Sequence, residues 1–430
     1  MKQMDHSNTF QKYQSYKDSG VEWLNEVPES WELTRLGTRF FEKRTKVSDK
    51  DYAPLSVTKQ GILPQLDSAA KTNDGDNRKL VKAGDFVINS RSDRKGSSGI
   101  SSLDGSVSLI NIVIEPIGIN PIFCNYLFKS NGFIEEFYRN GHGIVADLWT
   151  TRYDEMKAIK IAIPSESEQT RIAHFLDRKT AQIDQAIAQK ERLIALLKER
   201  RQILIHNAVT HGLDPNVKMK DSGVEWIGEV PEHWEVVPLT KFASRVDYRG
   251  NTPKKVDEGI FLITTKNLKE GKIDYEISKE YVEVNQYNSI MSRGLPQKGD
   301  LLFTMEAPLG MSAIIDNTEV AIAQRIIKLR FCKKSFNFEF ANFSIQSEYF
   351  QKHLQKEATG STAQGIKASK LHKLKLIKPP IKEQEEIAHH ITILNYKIVN
   401  AIACKQAEIE KLKEYKATLI NSAVTGKIIV

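Results

Sequence analysis

Two stretches of the chain carry a hydrophobic repeat of seven residues, the period of a coiled coil. They run from Glu168 to Thr210 and from Glu383 to Thr425, and they align without a gap at an offset of 215 residues. Each follows a proline and ends near a glycine. Apolar residues fill most seam positions: Ala173, Leu176, Ile183, Ile187, Ile194, Leu197, Leu204 and Ala208, then Ala388, Ile391, Ile398, Ile402, Ile409, Leu412, Leu419 and Ala423. The pattern predicts two helices of about 43 residues, each roughly 65 Å long at about 1.5 Å per residue.

Such long helices need support, because isolated helices are unstable in water. The simplest support is mutual packing, so we expect an antiparallel coiled coil. Basic residues occupy equivalent positions of both predicted seams: Lys190 and Lys405, and Arg201 and Lys416. Because an unpaired buried charge is costly, these residues are expected to fix the register or to face an open side of the seam.

A second repeat lies ahead of the helices. The segment KDSGVEWLNEVPESWE (Lys17 to Glu32) returns as KDSGVEWIGEVPEHWE (Lys220 to Glu235), with 13 of 16 positions identical. Its tryptophans, Trp23, Trp31, Trp226 and Trp234, suit either core packing or the anchoring of a partner protein. If the helices are antiparallel, the chain end near Thr425 returns beside the first copy, as Thr210 runs into the second.

The regions between these repeats are also copies of each other. KAGDFVINS (Lys82 to Ser90) aligns with QKGDLLFTM (Gln297 to Met305), and each predicts a Gly-Asp turn that leads into a strand. The offset grows from 203 to 215 along the chain, which places about twelve extra residues early in the second copy.

The resulting plan is a pseudo-two-fold repeat of a mixed α/β (α+β) globular domain and a long helix. We divide the chain into a terminal segment 1–16, a first domain 17–164, a first helix 165–212, a second domain 213–380, and a second helix with its tail 381–430. Antiparallel helices would hold the two domains apart at a distance that helix length sets.

Composition narrows the class of protein only moderately. The chain has 430 residues, 27% charged and 40% hydrophobic, with a net charge of +8, which permits an anionic partner without requiring one. No apolar run approaches the roughly 18 residues of a membrane span, and the polar start lacks the apolar segment of a secretory signal. We therefore expect a cytoplasmic protein without membrane contact. Three scattered cysteines indicate neither a disulfide framework nor a zinc site.

Signatures of catalysis are absent from the sequence. It contains no phosphate-binding G-x-x-x-x-G-K-[ST] loop, no glycine-rich loop typical of an S-adenosylmethionine site, no NPPF or DPPY segment and no metal-binding histidine spacing. We therefore expect no catalytic residue, metal or cofactor in this chain. A nuclease site dispersed over distant carboxylates leaves no motif and stays open as an alternative.

The combination of features resembles the specificity subunit of type I restriction-modification systems. The resemblance rests on the duplicated EWLxEVPxxWE motif, on IAIPSESEQTRIAHFLD at the end of the first domain and on the two equal helices. It covers the chain from about Lys17 onward. The second copy, IKPPIKEQEEIAHHITILN, lacks the FLD of the first.

This resemblance implies a non-catalytic DNA-recognition subunit. Each target-recognition domain would read one half of a bipartite, asymmetric site in double-stranded DNA. The helices would dock two methyltransferase (modification) subunits, which restriction (motor) subunits then join. The complex would act as an adenine-specific methyltransferase and ATP-dependent endonuclease, with S-adenosylmethionine, ATP and Mg²⁺ on the partner subunits only.

Candidate DNA contacts are basic and amide side chains on turns. In the first domain NSRSDRKGSSG presents Arg91, Arg94 and Lys95, where the second domain has Glu306 and Leu309 at the first two positions. Different side chains on one scaffold predict different half-sites. A solvated surface loop is the alternative interpretation.

Two further segments add candidates. SVTKQG resembles TTKNLKEG, which pairs Lys59 and Gln60 with Lys266 and Asn267, each a lysine followed by an amide. In DYRGNTPKK the candidates are Arg249, Asn251, Lys254 and Lys255. Plain surface turns explain both segments equally well. A coiled-coil scaffold that binds only protein also remains open for the whole chain.

Overall fold

The chain forms two compact units, each with its own core. A computed structural model describes residues 10–67, 75–143, 149–248, 253–360 and 364–430. The first unit comprises Met1–Lys190 with Gln406–Val430, and the second comprises Glu191–Lys405. Each unit thus combines one globular part with the start of one long helix and the end of the other.

The first half of the chain alternates short strands with short helices before the first long helix. Its elements are β1 (Tyr16–Asp18), β2 (Glu26–Pro28), β3 (Glu32–Arg35), β4 (Phe40–Glu42), β5 (Lys46–Val47), β6 (Leu55–Thr58), β7 (Gly61–Pro64), β8 (Arg78–Val81), β9 (Phe86–Asn89), β10 (Ser98–Ile100), β11 (Gly105–Val107), β12 (Asn111–Pro116), α1 (Pro121–Lys129), α2 (Asn131–Arg139), α3 (Tyr153–Met156), β13 (Lys160–Ile163) and α4 (Glu166–His211). The central antiparallel sheet has the order β10-β9-β12-β4, beside a smaller sheet β11-β8-β5 and the hairpin β6-β7. Strand β9 is buried along its whole length, because Phe86 and Ile88 pack into one hydrophobic cluster and Val87 packs into another.

The second half repeats this plan. Its elements are β14 (Met219–Asp221), β15 (Glu229–Pro231), β16 (Glu235–Pro238), α5 (Leu239–Phe242), β17 (Ala243–Asp247), β18 (Lys255–Val256), β19 (Ile260–Ile263), β20 (Leu268–Lys269), β21 (Lys272–Ile273), β22 (Tyr281–Val282), α6 (Tyr287–Ile290), β23 (Leu301–Thr304), β24 (Ser312–Ile314), β25 (Val320–Ile322), β26 (Ile326–Phe331), α7 (Phe338–Gln346), α8 (Glu348–Glu357), β27 (Lys375–Lys378) and α9 (Ile381–Val424). One sheet has the order β17-β26-β23-β24 and the other β18-β22-β19-β25, where β19 and β25 pair in parallel. The mixed α and β composition predicted from sequence is confirmed.

The two long helices are confirmed, with 46 residues in α4 and 44 in α9. They run antiparallel in both units. In the first unit Lys416 bonds Asp184 at 2.7 Å and Lys190 pairs with Glu408, so two seam lysines meet carboxylates of the opposite helix. In the second unit Ile205 shares a buried core with Ile387 and Ile391, which are the apolar residues at the start of α9.

A buried glutamine ties the start of each long helix to its globular part. Gln169 donates to the carbonyl of Pro164 at 3.0 Å and accepts from the amide of Asn120 at 2.8 Å, just before α1. In the second copy Gln384 accepts from the amide of Asn337 at 2.9 Å, just before α7. Both glutamines are at most 1% exposed. The EQ dipeptide of the sequence repeat therefore fixes the angle at which helix and domain meet.

The repeated tryptophan segment forms the same hairpin twice. Strands β1 and β2 pair in the register Lys17↔Val27, and β14 and β15 pair as Lys220↔Val230. Trp31 and Trp234 are each 1% exposed and belong to the core of their unit. Core packing is thus their role, because a side chain this buried offers no surface to a partner.

The end of the chain closes onto the first copy of this segment. The Nζ atom of Lys427 donates to the carbonyl of Leu24 at 3.0 Å, and the amide of Ile429 donates to the carbonyl of Gln11 at 2.8 Å. The predicted return of the C-terminal end to the N-terminal segment is confirmed. Gly426 makes the turn after α9 with a φ of +72°.

Gly426→Ala is expected to destabilise the first unit strongly. A Cβ atom there would stand 2.3 Å from Cδ of Pro28, in addition to the unfavourable φ. Gly118→Ala is the matched control, since its φ is +66° and its nearest contact is a flexible arginine end at 3.7 Å. Overpacking should add about 1–3 kcal/mol to the loss in free energy of unfolding beyond that of the control. Denaturant unfolding checks this, and equal losses would contradict the tight closure.

In the second unit, two histidines lie near the tryptophan segment and the end of α4. His353 is 4% exposed and stacks on Trp226 with ring centroids 4.0 Å apart. His206, on α4, lies 6.5 Å from Tyr349. Burial lowers the pKa of both histidines, against the opposing pull of Glu357 on His353 and of Glu348 on His206.

The second unit should therefore lose stability in mild acid. The unfolded chain binds protons at an ordinary histidine pKa of about 6.5, while the folded unit binds them only at lower pH. The free energy of unfolding then falls as the pH drops below about 6.5. The double variant His206→Asn, His353→Phe should show a smaller loss between pH 7.5 and 5.5 in thermal melts. An unchanged pH dependence would show that other groups dominate.

Among the described helices, none combines the length and the apolar character that crossing a bilayer requires.

Candidate nucleic-acid interface

The first candidate site is a turn of five residues, Arg91–Lys95, which we call the arginine turn. It follows β9 directly and contains one turn of 3₁₀ helix at Ser92–Arg94. The amide of Arg91 donates to Oδ1 of Asn89 at 3.0 Å, and the amide of Ser92 donates to the carbonyl of Trp149 at 3.0 Å. The backbone of the turn is thereby held from both sides.

Hydrogen bonds of two aromatic residues support the arginine turn. Tyr138 Oη donates to the carbonyl of Asn89 at 3.0 Å, and Trp149 Nε1 donates to the carbonyl of Tyr138 at 2.7 Å. Burial raises the pKa of Tyr138 well above its usual range, so its hydroxyl remains a hydrogen-bond donor. The turn is therefore ordered before any ligand binds.

The basic side chains of the arginine turn differ in how they are paired. Lys95 pairs with Glu135 at 2.6 Å, and Arg94 approaches Asp93 at 3.5 Å with 67% of its side chain exposed. Arg91 is exposed and has no ion-pair partner among the described residues. Arg91 and Arg94 can therefore reach an anionic ligand at low cost.

The second unit builds the same backbone arrangement around Glu306. Arg91 forms an isolated bridge with Thr150, and Glu306 forms one with Gly365. The residue just after the strand also accepts a backbone hydrogen bond in both units. The amide of Thr151 donates to the carbonyl of Ser90 at 3.0 Å, and the amide of Ile366 donates to the carbonyl of Met305 at 3.0 Å. Arg91 and Glu306 are therefore held in the same way, with opposite charges, while the turns differ after them: Ser92–Arg94 forms a 3₁₀ helix, whereas Ala307 has a φ of +43°.

One basic residue near Glu306 was not identified as a candidate DNA contact from the sequence. Arg325 lies between β25 and β26, and its Nε atom is 3.3 Å from Oε1 of Glu306 with 54% of the side chain exposed. Its counterpart at the 215-residue offset is Ile110, which is apolar and 42% exposed. In the second unit the exposed arginine therefore lies on the loop between β25 and β26, next to the turn after β23. Only knowledge of the strand pairing would have identified it.

Lys59 and Gln60 form the exposed tip of the β6-β7 hairpin. The carbonyl of Lys59 accepts a hydrogen bond from Lys129 Nζ at 3.3 Å. Gln60, Lys129 and Asp177 line one cavity of about 320 Å³. This tip and the arginine turn belong to separate turns of the first unit.

The sequence pairing of this hairpin with Lys266 and Asn267 is wrong. The corresponding hairpin of the second unit is β20-β21, and its tip is Glu270–Gly271. Lys266 and Asn267 precede that hairpin in a 3₁₀ turn, Thr265–Asn267. The extra residues early in the second copy shifted the match by several positions.

The prediction that Asn267 reads a base also needs correction, because Asn267 is 0% exposed. Its Oδ1 accepts from the amide of Thr264 at 2.9 Å and its hydroxyl at 2.8 Å. Its Nδ2 donates to the carbonyls of Asp274 and Ser278, both at 2.9 Å. With every amide group engaged, Asn267 shapes the turn and leaves Lys266 as the exposed candidate.

Lys255 is ion-paired to Glu280 at 2.6 Å, and Lys266 contributes a weaker attraction. Burial raises the pKa of Glu280, but the ion pair with Lys255 outweighs it and the pKa is lowered overall. Glu280 therefore stays ionised and holds Lys255. Lys254 is exposed beside Lys255, and Arg249 and Asn251 lie outside the described residues.

The described residues hold no group of three or more His, Cys, Asp or Glu placed to bind a metal ion. What they offer instead is exposed cations on ordered turns. Such groups can contact phosphates and the edges of bases.

Comparisons with known proteins agree on one family. The model of the type I restriction modification DNA specificity domain matches residues 231–412. The type I restriction enzyme MjaVIII specificity subunit of Methanocaldococcus jannaschii is 26% identical, over 96% of this chain and 97% of that protein. The type I restriction enzyme EcoKI specificity subunit of Escherichia coli K12 is 24% identical, over 61% of this chain and 58% of that protein.

Solved structures share the fold. A chain from work on complex assembly and conformational transition of the type I R-M system superposes with a TM-score of 0.71 at 15% identity, over 93% of this chain and 98% of that one. The HsdS subunit from Thermoanaerobacter tengcongensis gives a TM-score of 0.53 at 15% identity with the same coverage. By a family model over residues 231–412 and by a relative matched along almost its whole length, the chain is similar to the specificity subunits of type I restriction-modification systems, and it shares the fold of the HsdS subunit.

Proposed function

We propose that the chain reads DNA sequence, with each unit contacting one half of a bipartite and asymmetric double-stranded site. The target-recognition domains are residues 17–164 and 213–380. The long helices, within 165–212 and 381–430, dock two methyltransferase subunits and through them the restriction subunits.

The observation that carries this proposal is one structural position that occurs in both units with opposite charges. At this position the first unit has Arg91 and the second has Glu306, and the offset of 215 residues also aligns Arg94 with Leu309. Identical surfaces would read identical half-sites. The exchange of arginine for glutamate favours an asymmetric site, because arginine suits guanine or phosphate while glutamate accepts a hydrogen bond from cytosine.

The order of the arginine turn supports a role in specific binding. Arginine recognises guanine through two parallel hydrogen bonds, which require a defined approach. A turn already held by Tyr138 and Trp149 loses little conformational freedom on binding. The net charge of +8 adds a general attraction to DNA.

Partner docking is assigned to helix faces outside the seam. Large apolar side chains of α4 and α9 are exposed there in the second unit: Leu193, Leu196, Ile203, Ile393, Tyr396 and Val399, each at least 41% exposed. We assign methyl transfer and DNA cleavage to the partner subunits, which would carry S-adenosylmethionine, ATP and Mg²⁺.

The test uses the full chain, alone and co-expressed with the methyltransferase subunits of its own system. A library of duplexes with random sequence is incubated at several salt concentrations, and the bound fraction is sequenced. Enrichment of a two-part motif, without cleavage by this chain, supports the proposal. Metal-dependent cleavage by the chain alone would identify a nuclease, and a lack of DNA affinity even with partners would identify a protein scaffold.

A further inference from the structure

An arginine in the helix seam of the second unit reaches out of the seam to the recognition domain. Arg201 is 5% exposed. Its Nη1 atom donates to Oε2 of Glu270 at 2.6 Å, and Nη2 donates to the carbonyl of the same residue at 3.3 Å. The contact is charge-assisted; Arg201 is buried, while 59% of the Glu270 side chain is exposed. We call it the latch.

The latch holds the tip of the β20-β21 hairpin in an unusual conformation. Glu270 has a φ of +47°, a region that side chains other than glycine enter only at an energetic cost. The next residue is fixed as well, because Asn342 Nδ2 donates to the carbonyl of Gly271 at 3.0 Å. Asn342 in turn accepts from Ser312 Oγ at 2.7 Å. Backbone strain held by such contacts is typical of functional sites.

The other end of the hairpin carries the candidate DNA contact. The amide of Asp274 donates to the carbonyl of Asn267 at 2.7 Å, and Asn267 Nδ2 returns a bond to the carbonyl of Asp274. Lys266 is exposed next to this closure. Only residues 267–269 separate Lys266 from the latched Glu270, so a displaced tip would displace Lys266.

The first unit lacks the latch. The residue 215 positions after Arg201 is Lys416, and both of its hydrogen bonds, at 2.7 Å, go to Asp184 on the other long helix. The hairpin tip of the first unit is Lys59–Gln60, and neither side chain has a carboxylate that could pair with a lysine. Within the described part of the chain no hydrogen bond joins Lys416 to that tip.

We infer that Arg201 is a positioning residue for DNA recognition by the second unit. Arg201 lies on α4 and holds Glu270, so the position of Lys266 depends on the position of α4. DNA recognition by the first unit does not depend on its long helices in this way. This inference rests on the proposed function and adds a residue that sets specificity without touching DNA.

The test compares Arg201→Gln, Glu270→Gln and the double variant in the full chain, with Lys416→Gln as the matched control. Selection from the random duplex library should show that each single variant weakens preference at one part of the motif roughly tenfold, the scale of one charged hydrogen bond. The double variant should lose no more than either single variant. Lys416→Gln should leave that part of the motif unchanged.

Hydrogen exchange of residues 260–278 in the free chain provides the second readout. Both latch variants should exchange faster there, while the rest of the second unit stays protected. Unchanged motif and exchange would overturn the inference, and so would an equal loss at both motif parts. A wild-type chain that enriches no motif would contradict the proposed function itself, and exchange would still decide whether Arg201 holds the hairpin.

Discussion

Replacing Arg91 and Arg94 together by alanine is expected to remove most of the sequence preference of the first unit. Each exposed guanidinium can make a paired contact to a base or a phosphate, worth about 1–3 kcal/mol. The double variant should therefore bind the wild-type motif on the order of 10²-fold more weakly. In a selection from random duplexes, one part of the motif should lose its information content, and the other should persist.

A double variant elsewhere on the same unit controls for the lost charge. Arg39 is half-buried and Arg44 exposed, and they are ion-paired to Glu32 and Glu42 at 2.5 and 2.6 Å. Arg39→Ala with Arg44→Ala removes the same charge and should preserve the motif. If both double variants weakened DNA binding equally, the arginine turn would contribute only general electrostatic attraction.

Asp300→Asn is expected to cause the largest loss of stability. Asp300 and Lys328 are each 2% exposed, with their charges 3.6 Å apart. Asp300 also accepts from Arg330 at 2.6 and 2.8 Å. Removing its charge leaves Lys328 buried without a counterion, which should cost about 3–5 kcal/mol in free energy of unfolding.

The first unit provides the matched control for this substitution. Asp85 occupies the equivalent turn, but its partner Lys43 is 30% exposed and can turn toward water. The residue equivalent to Lys328 is Val113. Asp85→Asn should therefore cost clearly less in denaturant unfolding. Adding Lys328→Met to Asp300→Asn should restore much of the loss, and no recovery would show that the lysine charge is not the cause.

Local periodicity accounts for the parts of the fold that the sequence predicted well. The seven-residue pattern located α4 and α9 to within two residues at each end. The Gly-Asp turns at Asp85 and Asp300 precede β9 and β23 as expected. Each aspartate accepts the amide three residues earlier at 2.8 Å, and this local bond needs no tertiary information.

Tertiary contacts account for the errors in the candidate site. Nothing in the local sequence of Asn267 indicates that its amide is consumed by Asp274 and Ser278. Arg325 becomes a neighbour of Glu306 only through strand pairing. Likewise the seam position of Arg201 predicted that it fixes the register or faces an open side, and nothing local indicated that its carboxylate comes from a hairpin 69 residues away.

We propose above all that one chain carries two domains that recognise different DNA sequences. This proposal is tested most directly by mapping methylated adenines in the host genome by single-molecule sequencing, in strains with and without this chain. We predict a motif lost with the chain that has two unlike specified parts separated by unspecified bases. A continuous or palindromic motif, or an unchanged methylation pattern, would contradict the account.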